Sequence, residues 1–132
     1  MSAEQVKKLA EWLNSEYIVW TLGQPFLCAE DMLEAYRAWN PFNLIQDAWM
    51  LVGRLHELGW CIDLSDMTKA EENPGWWYEL DRYEPIFDEN APAELYGKAW
   101  CATHYYKLDG GADTAPAAIC QAVLKLMEDT EG

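Results

Sequence analysis

Val6, Leu9, Ala10 and Leu13 recur at helical spacing behind Ser2-Ala3-Glu4-Gln5, a capping-box pattern with Ser2 as N-cap and Gln5 three residues on. The pattern predicts a first helix over 3–13. Tyr17-Ile18-Val19-Trp20 is an apolar run too short to separate a strand from a helical turn, and Gly23 and Pro25 end it. Cys28 to Trp39 predicts a second helix, because Glu30, Asp31 and Glu34 would sit near the positive end of its dipole. Asn40-Pro41 breaks it. Residues 1–40 therefore read as a helical extension in front of a core over 41–128, the whole 1–132 forming one domain.

The core pattern is clearer. Asn43 as N-cap, Gln46 in the capping-box position and the stripe Leu44, Ala48, Leu51, Val52, Leu55 and Leu58 predict a helix that Gly59 stops, with Trp49 at the edge of the stripe. Trp60, Ile62 and Leu64 alternate with polar positions, as in a strand with one buried face. Asn73-Pro74-Gly75 is a turn, and Trp76 to Tyr83 is a second strand. An acidic, Pro-containing link over 84–94 leads to a third strand over about 96–107, which Asp109-Gly110-Gly111 would end. Thr114 or Asp113 then caps a last helix. It carries Pro116 in its first turn and buries Ile119, Cys120, Val123, Leu126 and Met127. Strands in succession between helices predict an α+β fold. The short link between the first two core strands makes the sheet an antiparallel three-stranded meander packed with helices.

Composition changes this picture in two ways. Eight Trp and seven Tyr exceed what the core of a 132-residue chain absorbs, so aromatic surface is left for a partner. The net charge of −14 repels nucleic acid and anionic membrane and favours basic surfaces, or else serves solubility alone. Met1 leads into polar, helix-forming residues with no apolar signal region, and no apolar run could span a bilayer. The expected location is the cytoplasm. Cys28, Cys61, Cys101 and Cys120 are widely spaced and read as small buried hydrophobes rather than disulfides or zinc ligands.

One resemblance adds to this. Phe42-Asn43-Leu44-Ile45-Gln46-Asp47-Ala48-Trp49, the Trp-led strand Trp76-Trp77-Tyr78 and the closing Ala115-Pro116-Ala117-Ala118-Ile119-Cys120-Gln121-Ala122 resemble the phage ABA-sandwich domain family over about Pro41 to Met127. The resemblance implies a three-stranded sheet between helices and a phage or prophage origin. That family carries no established catalytic or ligand residues to transfer. Residues 14–40 and the length of the link 84–94 depart from its pattern.

The charge is concentrated. Asp63, Asp66, Glu71, Glu72, Glu79, Asp81, Glu84, Asp88, Glu89 and Glu94 fall in a quarter of the chain, against Lys69 and Arg82 alone. On a meander these carboxylates could line one sheet face and occupy a DNA-binding groove, since duplex DNA carries about one charge per 1.7 Å of axis. A solvated acidic rim is the simpler alternative. Trp76-Trp77 puts a large aromatic on each face of its strand. Trp76, Tyr78 and Leu80 suit the core, and Trp77, Glu79, Asp81 and Tyr83 the other side. A further helix should cover that side, because exposed Trp is uncommon; a homodimer would hide it equally well. Left open, it would be a recognition surface anchored on Trp77 and Tyr83.

Catalytic signatures are missing. Cys101 and His104 fall on opposite faces of one strand, a zinc site from Cys61, Cys101 and His104 lacks ligand spacing, and His56 lies at a helix boundary. Glu71-Glu72 and Asp88-Glu89 sit in polar loops without the burial that acid–base chemistry needs. Lys7, Lys8 and Lys107 are too few to track phosphates. The expectation is a non-enzymatic protein with no cofactor and no metal. It would bind a basic host protein or nucleoprotein complex, as an anti-CRISPR-like inhibitor of a nucleic-acid-handling defence system. The alternatives are a nucleotide-signal binder using Arg54, Arg82, Lys98 or Lys107, and a phage structural or assembly protein.

Overall fold

The computed structural model describes residues 2–28, 35–85 and 103–131. Its elements are α1 (Ala3–Leu13), β1 (Ile18–Thr21), β2 (Gln24–Cys28), β3 (Ala35–Ala38), α2 (Ile45–Glu57), β4 (Cys61–Asp66), β5 (Trp76–Pro85), β6 (Thr103–Ala112) and α3 (Ala115–Glu131). Among the described residues the chain is α+β, with three helices and two antiparallel three-stranded sheets, β1-β2-β3 and β4-β5-β6.

The capping box at Ser2 forms as expected: Gln5 N–H donates to Ser2 Oγ at 3.2 Å and Ser2 N–H to Gln5 Oε1 at 3.3 Å. Leu9, Ala10 and Leu13 are buried, and Asn14 closes α1 in the left-handed region at φ 47°. The N-terminal segment then departs from the sequence reading. It holds one helix and a small sheet, not a pair of helices, and Ala35–Ala38 is a strand paired with β2. Strand pairing overrides the local helical pattern here, since early acidic residues suit many conformations and the neighbouring strand supplies the backbone partners. Residues 29–34 lie outside the described residues. The β1–β2 hairpin turns on Leu22 and Gly23, both at positive φ (53° and 75°), the sign a tight hairpin requires. The Leu22 side chain is 99% exposed, so an apolar residue occupies a strained position with nothing packed on it.

One ion pair ties this sheet to α2. The Arg37 guanidinium, on β3, donates to both Asp47 carboxylate oxygens at 2.6 Å, and Asn40 N–H donates to Asp47 Oδ2 at 2.8 Å. Asp47 is 1% exposed and sits in the first turn of α2, where the helix dipole favours an anion. The cap of α2 differs from expectation. Leu44, not Asn43, is the N-cap and makes no side-chain bond, while Asn43 donates to Asn40 Oδ1 at 2.9 Å. Ala48, Leu51, Val52 and Leu55 form the buried stripe, Leu58 is exposed, and Gly59 turns the chain at φ 87°. Ile45 and Trp49 remain exposed on the opposite side.

The second sheet is the expected meander. Helix α3 packs on β5 and β6, α2 packs on α3 and on β4, and the shared core includes Tyr78, Leu80, Ile119, Cys120 and Val123. Among the described residues helices cover one face of this sheet. Strand β6 runs on to Ala112, so Asp109-Gly110-Gly111 lies inside it rather than after it. The physical reason is Tyr78, which pairs with Gly110 in register: a Cβ at Gly110 would stand 2.5 Å from Tyr78 Oη and 2.8 Å from Cζ. The glycine is there so that the buried tyrosine ring can cross the neighbouring strand. Thr114 caps α3, accepting from Ala117 N–H at 3.3 Å. The expected third strand over 96–107 is described only from Thr103 onward; 96–102, and the link beyond Pro85, lie outside the described residues.

Candidate functional site

Register builds the face of the second sheet that is left uncovered among the described residues. Residues two apart share a face, so Asp63, Glu79 and Asp109 stand directly opposite one another across β4, β5 and β6. Cys61, Asp81 and Lys107 make the row on one side, and Ser65, Trp77 and Gly111 the row on the other. The carboxylate oxygens of Asp63, Glu79 and Asp81 all come within 4.8 Å of one another. Like charges directly opposite destabilise a sheet. Lys107 relieves part of this: its Nζ lies 2.7 Å from Glu79 Oε1, and that hydrogen bond, then the Glu79 charge, raises the Lys107 pKa. Three oxygen donors at this spacing also resemble the donor set of a hard cation. Glu79 is already committed to Lys107, however, and the trio is exposed or half-exposed.

Trp77 is the apolar member. It is 46% exposed, and among the described residues no helix covers this side; residues 86–102, where a further helix would have to lie, are outside them. A Cβ built on Gly111 would stand 3.4 Å from Trp77 Cε3 and 3.7 Å from Cζ3, so the six-membered ring lies over the glycine. Beyond it, at the β4–β5 turn, opens a groove of about 540 Å³ lined by Met67, Glu72, Pro74, Trp76, Trp77 and Asp113 among others. The turn that shapes it uses Asn73 at φ 52° and Gly75 at φ 149°; a Cβ on Gly75 would meet the Ala112 carbonyl oxygen at 2.7 Å. Met67 and Gly75 exchange backbone hydrogen bonds at 2.8 and 3.2 Å and hold the mouth of the turn.

The structure gathers only part of the acidic set. Asp63, Glu79, Asp81 and Trp77 share the uncovered face, and Glu72 borders the groove. Glu71 is exposed in the β4–β5 turn. Asp66 has the opposite parity and is used locally: Thr68 Oγ1–H and N–H both donate to its Oδ1, at 2.6 and 3.0 Å, and these bonds lower its pKa. Tyr83 and Glu84 continue β5 opposite Tyr105 and His104, and their side chains lie outside the described residues. Asp88, Glu89, Glu94, Lys98 and Cys101 also lie outside. Sequence reasoning missed Asp109 and Asp113, and took Lys107 only as a sparse phosphate donor. All three follow from a register that cannot be counted once the third strand is thought to end at Asp109.

Among the described residues, titratable groups elsewhere carry no reactive signature. Of the cysteines expected to be buried, Cys120 is, whereas Cys28 is half-buried and Cys61, on a strand position facing away from the helices, is exposed. Burial pushes the Cys120 thiol up to about 12, which keeps it protonated. Burial first, then the Asp109 and Glu128 charges, raise the Tyr78 pKa. Several described basic groups are engaged: Arg54 with Glu57 at 3.2 Å, Lys107 with Glu79, Arg37 with Asp47, Lys125 with the Asp109 carbonyl at 2.7 Å, and Arg82 over the Trp60 ring at 6.0 Å. No described helix is long and apolar enough to cross a membrane. No family model, curated protein or solved structure matches the chain.

Proposed function

We propose that this chain is a non-enzymatic binding protein whose uncovered sheet face captures a cationic surface of a host nucleic-acid-handling protein, in the manner of an anti-defence inhibitor. The observation that carries this reading is the row Asp63, Glu79 and Asp109 with Asp81 beside it, next to a half-exposed Trp77. Three carboxylates within 4.8 Å of one another approach the charge density of duplex DNA, about one charge per 1.7 Å of axis. Lys and Arg side chains that normally grip phosphates would find a comparable field here. Trp77 supplies the apolar contact that slows dissociation. The phage setting and the choice of a defence complex such as a CRISPR effector rest on the family resemblance alone.

A nucleotide-binding role finds less support. The groove beside Trp77 is bordered by carboxylates, and two of the candidate phosphate donors, Arg54 and Lys107, are already paired with glutamates. The test is calorimetry with a purified effector complex across a salt series, against Asp63→Asn/Asp81→Asn. Log affinity should fall linearly with log salt, and the variant should bind about tenfold more weakly with a shallower slope. A salt-independent affinity that the variant leaves unchanged would remove the electrostatic mechanism.

A further inference from the structure

The groove beside Trp77 has a chemistry of its own, distinct from the carboxylate row. Its walls are apolar and polarisable, from Trp77, Trp76, Met67 and Pro74, and its rim carries Glu72 and Asp113. No Lys or Arg lines it, and among the described residues neither rim carboxylate is paired with a cation. Gly111 under the Trp77 ring explains why a Trp stands there, since an aromatic laid over a strand glycine repairs a thin spot in the sheet. It does not explain why nearly half of the side chain stays open to solvent beside two carboxylates.

A flat aromatic face with anions around it is the binding chemistry of an organic cation. Its volume of about 540 Å³ falls within the range of side-chain and small-ligand pockets. A phosphate or carboxylate would be repelled by the rim, and a neutral apolar chain would leave both carboxylates to be desolvated without a partner. Between the two cationic side chains, the geometry favours arginine. Its planar guanidinium stacks on an indole and still offers in-plane N–H donors to carboxylates, whereas an ammonium is a strongly hydrated point charge.

We propose that this groove is an arginine subsite: it seats one Arg side chain of the partner's basic segment on the Trp77 ring, with Glu72 and Asp113 as counter-ions. The inference rests on the reading of the sheet face given above and deepens it, by fixing one residue of the partner and the position that residue takes.

The experiment is an NMR titration of the whole chain with N-acetyl-arginine-N-methylamide, with its lysine and citrulline counterparts, and with capped hexa-arginine. The arginine ligand should shift the Trp77 indole N–H and the Gly75 and Gly111 amides in a saturable way. Citrulline, the neutral isostere, should shift them little. Trp77→Ala should weaken binding about five- to tenfold. Glu72→Gln, in an exposed turn where folding is not at stake, should weaken it several-fold. Equal responses to citrulline and arginine, or an unaltered affinity in Glu72→Gln, overturn the subsite, and lysine binding as tightly as arginine overturns the preference. Hexa-arginine separates the two readings. Shifts at Asp63, Glu79 and Asp81 that spare the groove leave the sheet-face reading standing and sink the subsite. Arginine shifts confined to the groove, with no hexa-arginine response on the sheet face, do the reverse.

Discussion

Replacing Arg37 by Met removes the ion pair that fastens the N-terminal sheet to α2, together with the weaker 3.3 Å hydrogen bond to the Ala38 carbonyl. Methionine keeps most of the apolar stem and removes the guanidinium, leaving the Asp47 carboxylate 1% exposed with Asn40 N–H as its remaining hydrogen-bond donor. Breaking one side of a buried pair costs about 3–5 kcal/mol. Two features place this case at the low end. Arg37 is itself 26% exposed, so water can reach the vacated side, and the first turn of α2 contributes a further ~0.5 kcal/mol of favourable dipole. The expected loss is therefore about 3 kcal/mol, from a total that for such domains is about 5–15 kcal/mol. At this chain length the melting temperature should fall by roughly 10 °C. Urea denaturation followed by tryptophan fluorescence measures it. The decisive comparison is Arg37→Met/Asp47→Asn, in which the buried charge is gone and Asn40 still has an acceptor. That double variant should recover at least 1 kcal/mol over Arg37→Met, by the usual asymmetry between an orphaned charge and none. A loss below 1 kcal/mol in the single variant, or a double variant no more stable than the single, would refute the argument.

Two smaller changes test the backbone. Gly110→Ala drives a methyl group into the Tyr78 ring, which is 3% exposed and has nowhere to swing; about 2 kcal/mol of destabilisation is expected by thermal melting, part of it recovered by adding Tyr78→Phe. An unshifted melting curve would mean that the strand register is different. Leu22→Asn should act in the opposite sense, raising stability by up to about 1 kcal/mol, because asparagine tolerates the left-handed turn and no packed contact is lost. A fall in stability instead would show that Leu22 is held by a contact within the molecule.

Where residues announced their surroundings through hydrophobic period, the fold was legible. The stripe of α2, the alternation of Trp60, Ile62 and Leu64, and the capping box at Ser2 all form. Two of the departures from the sequence reading share a cause. Glu30, Asp31 and Glu34 looked like a helix start, and Asp109-Gly110-Gly111 looked like a strand end, yet both judgements used local chemistry where a partner across the sheet decides. Arg37 must be on a strand to reach Asp47, and Gly110 must be in a strand to let Tyr78 pass. Of the candidate site, Asp63, Glu79, Asp81 and Trp77 could be assigned to one face from parity alone. Asp109 could not, since its place depends on register with β5. Nor could the groove, which exists only because the Asn73–Gly75 turn folds back against Ala112.

The carboxylate row also works against pairing of two copies through this face. Two molecules stacked sheet to sheet would bring one set of Asp63, Glu79, Asp81 and Asp109 against another, with Lys107 the lysine among the described residues that pairs with this row. Self-pairing through Trp77, a natural way to hide an aromatic, is thereby disfavoured. A symmetric dimer would have to use ground of milder charge, such as the Ile45 and Trp49 side of α2. In a crowded solution of like molecules, a face of this charge disfavours its own copies and favours a surface of opposite sign.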